Sequence, residues 1–216
     1  MKRIVLLTIA LTFSVITYSQ TIKVQGGISL STLDAKSGVI NDLWSQTMVG
    51  YSALVGIDYF NHKMYNLSSN IGIVRKGGKD KLKYVDRDHT PSGEETVIAW
   101  LDYVTINTTA DIKFPVKENW KPFISVGPRL DILASAGDDF KKLVKSDDMN
   151  KVTYGFNVGA GVNREIKKFV IGIRGDYYFN LNKAAEWDRR SGSAPLNQGE
   201  VQAKQGVINL QVGYKL

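Results

Sequence analysis

The 216-residue chain contains no cysteine. A disulfide framework, a thiolate metal site, a thiol nucleophile and a lipidated cysteine are therefore all excluded. Histidine is nearly absent as well, with only His62 and His89. Past the first twenty residues no long apolar run occurs, so that part of the chain holds no helical membrane span. No amphipathic helix of useful length stands out either. Charge of one sign is not gathered into a patch: basic and acidic residues are mixed along the chain, which argues against a nucleic-acid partner.

The single apolar run is "MKRIVLLTIALTFSVITYSQ" at the start. Lys2 and Arg3 form a positive head, Ile4 to Ile16 an apolar body, and Thr17 and Ser19 stand at −3 and −1 before Gln20. This is the pattern of a cleaved secretory signal peptide. The expected division is a signal peptide over 1–19 and one mature domain over 20–216. The signal takes two of the 28 basic residues, leaving 26 against 21 acidic, a net charge of +5.

The mature sequence is built from period-2 segments, the mark of half-buried strands. Eight are legible: Thr21–Ser31, Met48–Phe60, Met64–Lys76, Trp100–Phe114, Lys121–Ser135, Val152–Arg164, Phe169–Leu181 and a closing stretch from Gln205. Most run well beyond the roughly 5–6 residues of a globular strand and reach the roughly 9–11 that a membrane barrel strand needs. Connections alternate in length. Asn61–Lys63, Pro115–Trp120 and Glu165–Lys168 are short turns; Thr32–Thr47, Gly77–Ala99, Ala136–Lys151 and Asn182–Lys204 are long and polar. Short turns at one end and long loops at the other predict an eight-stranded antiparallel up-and-down transmembrane β-barrel in an outer membrane.

An eight-stranded soluble barrel of the lipocalin kind also alternates, with its polar face in water. The polar rows separate the two. In the seventh strand Val170, Gly172, Arg174, Asp176, Tyr178 and Asn180 oppose Phe169, Ile171, Ile173, Gly175, Tyr177, Phe179 and Leu181. In the fifth, Ser125, Gly127, Arg129 and Asp131 oppose Ile124, Val126, Pro128, Leu130 and Ile132. A water-facing row would be dense in Lys and Glu. These rows instead mix small residues with a few charges of both signs, as a narrow lumen requires, since an unpaired buried charge is costly. Arg129, Asp131, Arg174, Asp176, Asp111 and Lys113 are the expected lumen charge network, with Arg129–Asp131 and Arg174–Asp176 matched across strands. Tyr51, Tyr65, Phe114, Trp120, Phe169 and Tyr177, near strand ends, read as aromatic girdles. Pro128, mid-strand and without an N–H, suggests a bulge.

No catalytic, metal or cofactor site is expected. His89 with Ser92 and Glu94 or Glu95 lies in a Gly/Pro loop that positions neither nucleophile nor base. Asp86 and Asp88, or Asp138, Asp139, Asp147 and Asp148, could offer oxygen ligands to Ca²⁺, but solvated loop charges describe them better. "VGAGVN" is glycine-rich mid-strand with no helix to follow, so it is no phosphate loop.

"KPFISVGPRLDILAS", "IGIRGDYYFNL" and "VQGGISLSTL" together resemble strands of the outer membrane protein β-barrel domain family of Bacteroidota-type bacteria, also called the porin family or PorT-like. Gly175-Asp176 after Arg174 departs from the family's commoner R-Y-x-x-G. The resemblance implies an eight-stranded OmpA-like barrel and an outer-membrane location, with lipid and the barrel assembly machinery as partners. It fixes no activity. Three roles stay open: a structural or surface-exposed binding barrel, an accessory component of a secretion machine as in the PorT branch, and a narrow pore. Eight strands exclude a wide channel. The chain closes on "GVINLQVGYKL", with Ile208, Leu210, Val212, Tyr214 and Leu216 in one row. In outer-membrane barrels a closing strand of this kind is also read by the assembly machinery, which makes Gly206, Tyr214 and Leu216 the expected signal.

Overall fold

The structure, a computed structural model, describes residues 20–37, 41–85, 91–114, 116, 119–137, 149–188 and 198–216. The expected signal segment, together with His89, Asp86, Asp88 and the four aspartates between 138 and 148, lies outside them.

Ten strands form one antiparallel sheet: β1 (Thr21–Ser37), β2 (Asn41–Leu43), β3 (Gln46–Asn61), β4 (Tyr65–Val85), β5 (Pro91–Lys113), β6 (Trp120–Ala136), β7 (Val152–Ile166), β8 (Phe169–Asn180), β9 (Ala185–Asp188) and β10 (Gln198–Lys215). Their order is β2-β1-β3-β4-β5-β6-β7-β8-β10-β9, and β1 also pairs with β10. That last pairing closes the eight long strands into an up-and-down barrel, with β2 and β9 as short additions on one rim. Closure leaves no edge along the wall, from Thr21↔Lys215 at the short-turn end to Ser37↔Gly199 at the other.

Side chains alternate between wall and lumen as the sequence rows predict. Ile171, Ile173 and Phe179 on β8, and Ile208, Leu210 and Val212 on β10, are exposed on the outer wall. Arg174, Asp176 and Tyr178, and Val207, Asn209 and Gln211, are buried inside. Such a continuous exposed apolar surface is unstable in water and suited to lipid. Its height fits. Phe169 and Phe179 are ten residue steps apart, about 33 Å along the strand, which at a tilt of about 40° is about 25 Å of barrel height, the apolar band of an outer-membrane barrel.

Several strands run further than the periodicity predicts, and the large extensions, on β1, β4, β5 and β10, are toward the long-loop end. Within the stretch read as a loop over Gly77–Ala99, the described residues form the upper part of a β4–β5 ribbon, paired from Gly77↔Trp100 to Tyr84↔Gly93. Seven further residue pairs carry it about 23 Å beyond that point. β9 likewise pairs with β10 from Val201↔Ala185 to Gln198↔Asp188 inside a segment read as loop. Pro128 makes no bulge. The β6–β7 ladder passes through Pro128↔Phe156 without a shift, and β5–β6 keeps one register from Asn107↔Arg129 to Ala110↔Val126. Gly127 absorbs the irregularity: a Cβ there would lie 1.9 Å from the Thr108 carbonyl oxygen. Bulges occur elsewhere. Four β3 residues, Met48–Tyr51, face three of β4, Arg75–Gly77.

The turn between β7 and β8 is Lys167-Lys168, and Lys167 sits at φ 53°. A side chain is disfavoured in that left-handed region and glycine is not. Lys167→Gly is expected to raise stability by about 0.5–1 kcal/mol, measured as a higher urea midpoint for the folded barrel. An unchanged or lower midpoint would show that the turn carries no strain.

Candidate functional site

Of the two surfaces this fold creates, the lumen comes first. At the short-turn mouth Lys23 pairs with Asp58 at 2.7 Å, and Glu165 takes both Lys121 and Lys215 at 2.7 Å. Lys113 donates to the Asn61 side chain and to the His62 carbonyl at 3.4 Å. Deeper in, Arg174 Nε meets Asp176 Oδ2 at 2.7 Å and its Nη1 meets Asp111 Oδ1 at 3.4 Å. Asn66 donates to Asp111 at 3.2 Å and Asn157 to Asp176 at 3.3 Å, so both carboxylates are held on two sides. Room for this group comes from glycine. A Cβ at Gly159 would lie 2.2 Å from the Asp176 carboxylate, and one at Gly161 would lie 2.5 Å from the Phe123 ring beneath Arg174. The glycines of "VGAGVN" thus make space in the lumen.

Polar amides fill the middle: Gln25 donates to Asn70 at 2.9 Å and Asn70 to Asn107 at 2.7 Å. A small apolar group follows, formed by Leu54, Val74, Tyr178 and Val207. A second charge group lies beside it. Asp131 accepts from Lys76 through Oδ2 and from Thr105 at 2.8 Å through Oδ1, while Arg129 Nε approaches Oδ2 to 3.1 Å. Arg129 also donates to the Asn180 side chain and stacks on Tyr178 at 4.2 Å, and Lys76 stands 4.5 Å over Tyr103. The long-loop end is closed by an apolar cluster: Leu33, Ala99, Leu101, Tyr103, Ala136, Met149, Ala184, Ala185 and Val201, with Trp44, Leu133 and Ala203 against it. Met149 bridges to Ala185, so residues of two long connections help form this lid.

The predicted network residues are all lumen-facing and buried, with two differences in pairing. Arg129–Asp131 and Arg174–Asp176 pair along one strand, not across strands; the cross-strand partners are Lys76 and Asp111. The Asp111 carboxylate is turned to Arg174 and Asn66, and Lys113 donates to Asn61 and His62. Sequence reasoning passed over Lys76, Lys23 and Asp58. Lys76 had a signal, since it continues the lumen row Asn66, Ser68, Asn70, Gly72, Val74.

On the outer wall Tyr65, Phe114, Trp120 and Phe169 are exposed at the short-turn end, and Tyr51 and Tyr177 toward the other. Phe169 meets Tyr214 edge-on at 5.4 Å, and Tyr177 meets Phe179 at 4.6 Å. One outward charge pair was not foreseen. Arg75 binds Asp102 through two hydrogen bonds of 2.7 and 2.8 Å and lies 4.8 Å from the Tyr51 ring and 4.1 Å from that of Trp100. A charge on a lipid-facing wall is costly near the midplane and much less so near the interface. Pairing plus two aromatic covers fits a station at the upper interface.

Gly206 lies in both ladders of β10, opposite Leu30 and Tyr177; Tyr214 lies opposite Ile22 and Phe169; the Leu216 amide donates to the Gln20 carbonyl at 3.0 Å. His62 is exposed and stacks on Tyr65 at 4.8 Å. Glu94 pairs with Lys81 at 2.6 Å in the ribbon. No group of three His, Cys, Asp or Glu side chains able to hold a metal occurs among the described residues.

The fold has relatives of known structure. OprG of Pseudomonas aeruginosa, an outer membrane protein, superposes with a TM-score of 0.53 at 9% identity, covering 92% of this chain and 96% of that one. Ail of Yersinia pestis, in complex with the heparin analogue sucrose octasulfate, gives 0.48 at 13% identity over 92% and 99%. Outer membrane protein W of E. coli gives 0.45 at 14% identity over 92% and 98%. No curated protein matches the sequence. The model of the family described as "Outer membrane protein beta-barrel domain" matches residues 18–186. The chain belongs to that family and is a small integral β-barrel protein of the outer membrane.

Proposed function

We propose that this protein is a closed, non-catalytic barrel that works through its outer side, with the β4–β5 ribbon as its contact surface. The observation that carries this reading is the contrast between a lumen filled by two charge groups and an apolar lid, and a paired ribbon running about 17 Å along the strands past Lys79, where β3 pairing ends. In outer-membrane barrels the short turns face the periplasm and the long connections face out, which puts the ribbon outside the cell. A filled eight-stranded lumen is poor support for a pore. An accessory role in secretion differs chiefly in where a partner would dock, namely at the periplasmic turns.

Site-specific photo-crosslinking in whole cells separates these roles. A photoreactive residue at Lys81, exposed on the ribbon, is expected to trap partners or envelope polymers, and one at Lys63, exposed in a short turn, is not. Adducts at Lys63 alone would replace the surface role with a periplasmic accessory one. Single-channel steps from the purified barrel in a planar bilayer would restore the pore.

A further inference from the structure

We infer that the outward rim at the periplasmic end is a docking belt for the phosphates of anionic phospholipids in the inner leaflet. The inference rests on the outer-membrane location and not on the surface role proposed above.

Charges at this rim are sorted by face. Asp58, Asp111 and Glu165 are the side-chain carboxylates here among the described residues, and each is taken by a lumen-side cation: Lys23, Arg174, and Lys121 with Lys215. The outward side carries cations with no carboxylate partner among the described residues. Arg164 lies opposite Trp120 in the β6–β7 ladder, its guanidinium 5.3 Å from the indole ring. Lys168 stands 5.6 Å over Tyr214, which itself packs against Phe169. Lys167 and Lys63 are exposed in the adjoining turns. At the opposite end three outward cations are neutralised: Arg75 by Asp102, Lys204 by Asp34 at 2.7 Å, and Lys183 by Glu200 at 2.8 Å. Among the described residues the outward side chains of this rim that carry charge are thus all cations, whereas the other rim mixes both signs.

Its height names the partner. Trp and Tyr settle at the boundary between hydrocarbon and headgroups. Cations held over those rings lie level with lipid phosphates, their stems covering apolar surface. A soluble acidic partner approaching from the periplasm would meet the turn tips at Lys63 and Lys167-Lys168 first, and would leave Arg164, within β7 on the lipid side, unused. Fixed anionic charge in the leaflet is what the row complements, and each Lys or Arg near such a surface adds attraction that salt weakens.

The test uses the full barrel reconstituted in phosphatidylcholine vesicles with a trace of spin-labelled phosphatidylglycerol or spin-labelled phosphatidylcholine. The motionally restricted fraction in the electron paramagnetic resonance spectrum reports relative association at the wall. Phosphatidylglycerol is expected to be favoured about fivefold at low salt and much less at high salt. Arg164→Gln with Lys168→Gln should bring the ratio near one. Arg164→Lys with Lys168→Arg should keep it, and so should Lys204→Gln at the other end. These positions are exposed, and the heat-dependent gel shift of the folded barrel checks each variant. No preference in the wild type, an unchanged preference in the double Gln variant, or an equal loss in Lys204→Gln would overturn the belt. So would binding of soluble polyglutamate at this rim without any preference among lipids.

Discussion

Asp131→Asn is expected to be the most damaging single change inside the barrel. Asp131 is the one carboxylate that Lys76 and Arg129 share, and the side chains of all three are at most 2% exposed. Removing its charge leaves two cations facing each other beneath an apolar lid. Breaking one buried pair costs about 3–5 kcal/mol; here one substitution strands two partners, so the upper part of that range is expected. Lys76→Met is the informative contrast. It leaves Arg129 and Asp131 matched one to one and puts an apolar stem of similar length beside Val74 and Tyr103. Replacing a buried charge in a way that leaves no partner stranded is often neutral, so a loss below about 1 kcal/mol is expected. Joining the two substitutions should recover part of what Asp131→Asn loses. Urea unfolding in lipid vesicles, followed by tryptophan fluorescence, measures all three. Equal losses for Asp131→Asn and Lys76→Met would mean that charge balance does not govern this group.

The contrast between these two residues also shows what the sequence could and could not reveal. Period-2 phase alone places Lys76, Arg129 and Asp131 on the lumen row of their strands, because a strand that keeps its pleat cannot change face without a bulge. Phase says nothing about which charges meet. That depends on the stagger of β4 against β6, two strands apart in the sheet, and no local pattern encodes it. The β4–β5 ribbon failed to register for another reason. Above the bilayer neither face has to be apolar, so "KGGKDKLKY" loses the alternation while its backbone ladder continues. Gly77-Gly78 and the charges looked like a loop, yet the cross-strand hydrogen bonds need no particular side chains. Lys81–Glu94 across the ribbon is a surface pair and adds little. Pro128 misled in the opposite direction. Its missing N–H suggested an extra residue, whereas the absent side chain of Gly127 allows the close approach that keeps the register.

The closing strand should be the least tolerant of change. β10 is held on both sides, by β1 from Thr21↔Lys215 upward and by β8 from Tyr214↔Phe169 to Gln205↔Tyr178. Deleting Gly213–Leu216 removes the pairs that fasten Thr21 to Lys23 and that cover Phe169 and Val170. Each backbone group then exposed to hydrocarbon costs several kcal/mol, so no folded barrel is expected in the outer-membrane fraction, read as loss of the fast-migrating band on unheated gels. Tyr214→Asp keeps the backbone pairs and removes an interfacial ring that touches Phe169 and Lys168, and it too should abolish that band. Two physical causes could act there, a weakened seam or a lost recognition signal for the assembly machinery, and refolding separates them. If Tyr214→Asp purified from urea refolds into detergent as well as the wild type, the defect in cells is one of recognition, and Tyr214→Phe should restore assembly. If it fails in both settings, the ring is needed by the seam itself. Wild-type amounts of compact Tyr214→Asp or truncated barrel in the outer membrane would refute both accounts of this strand.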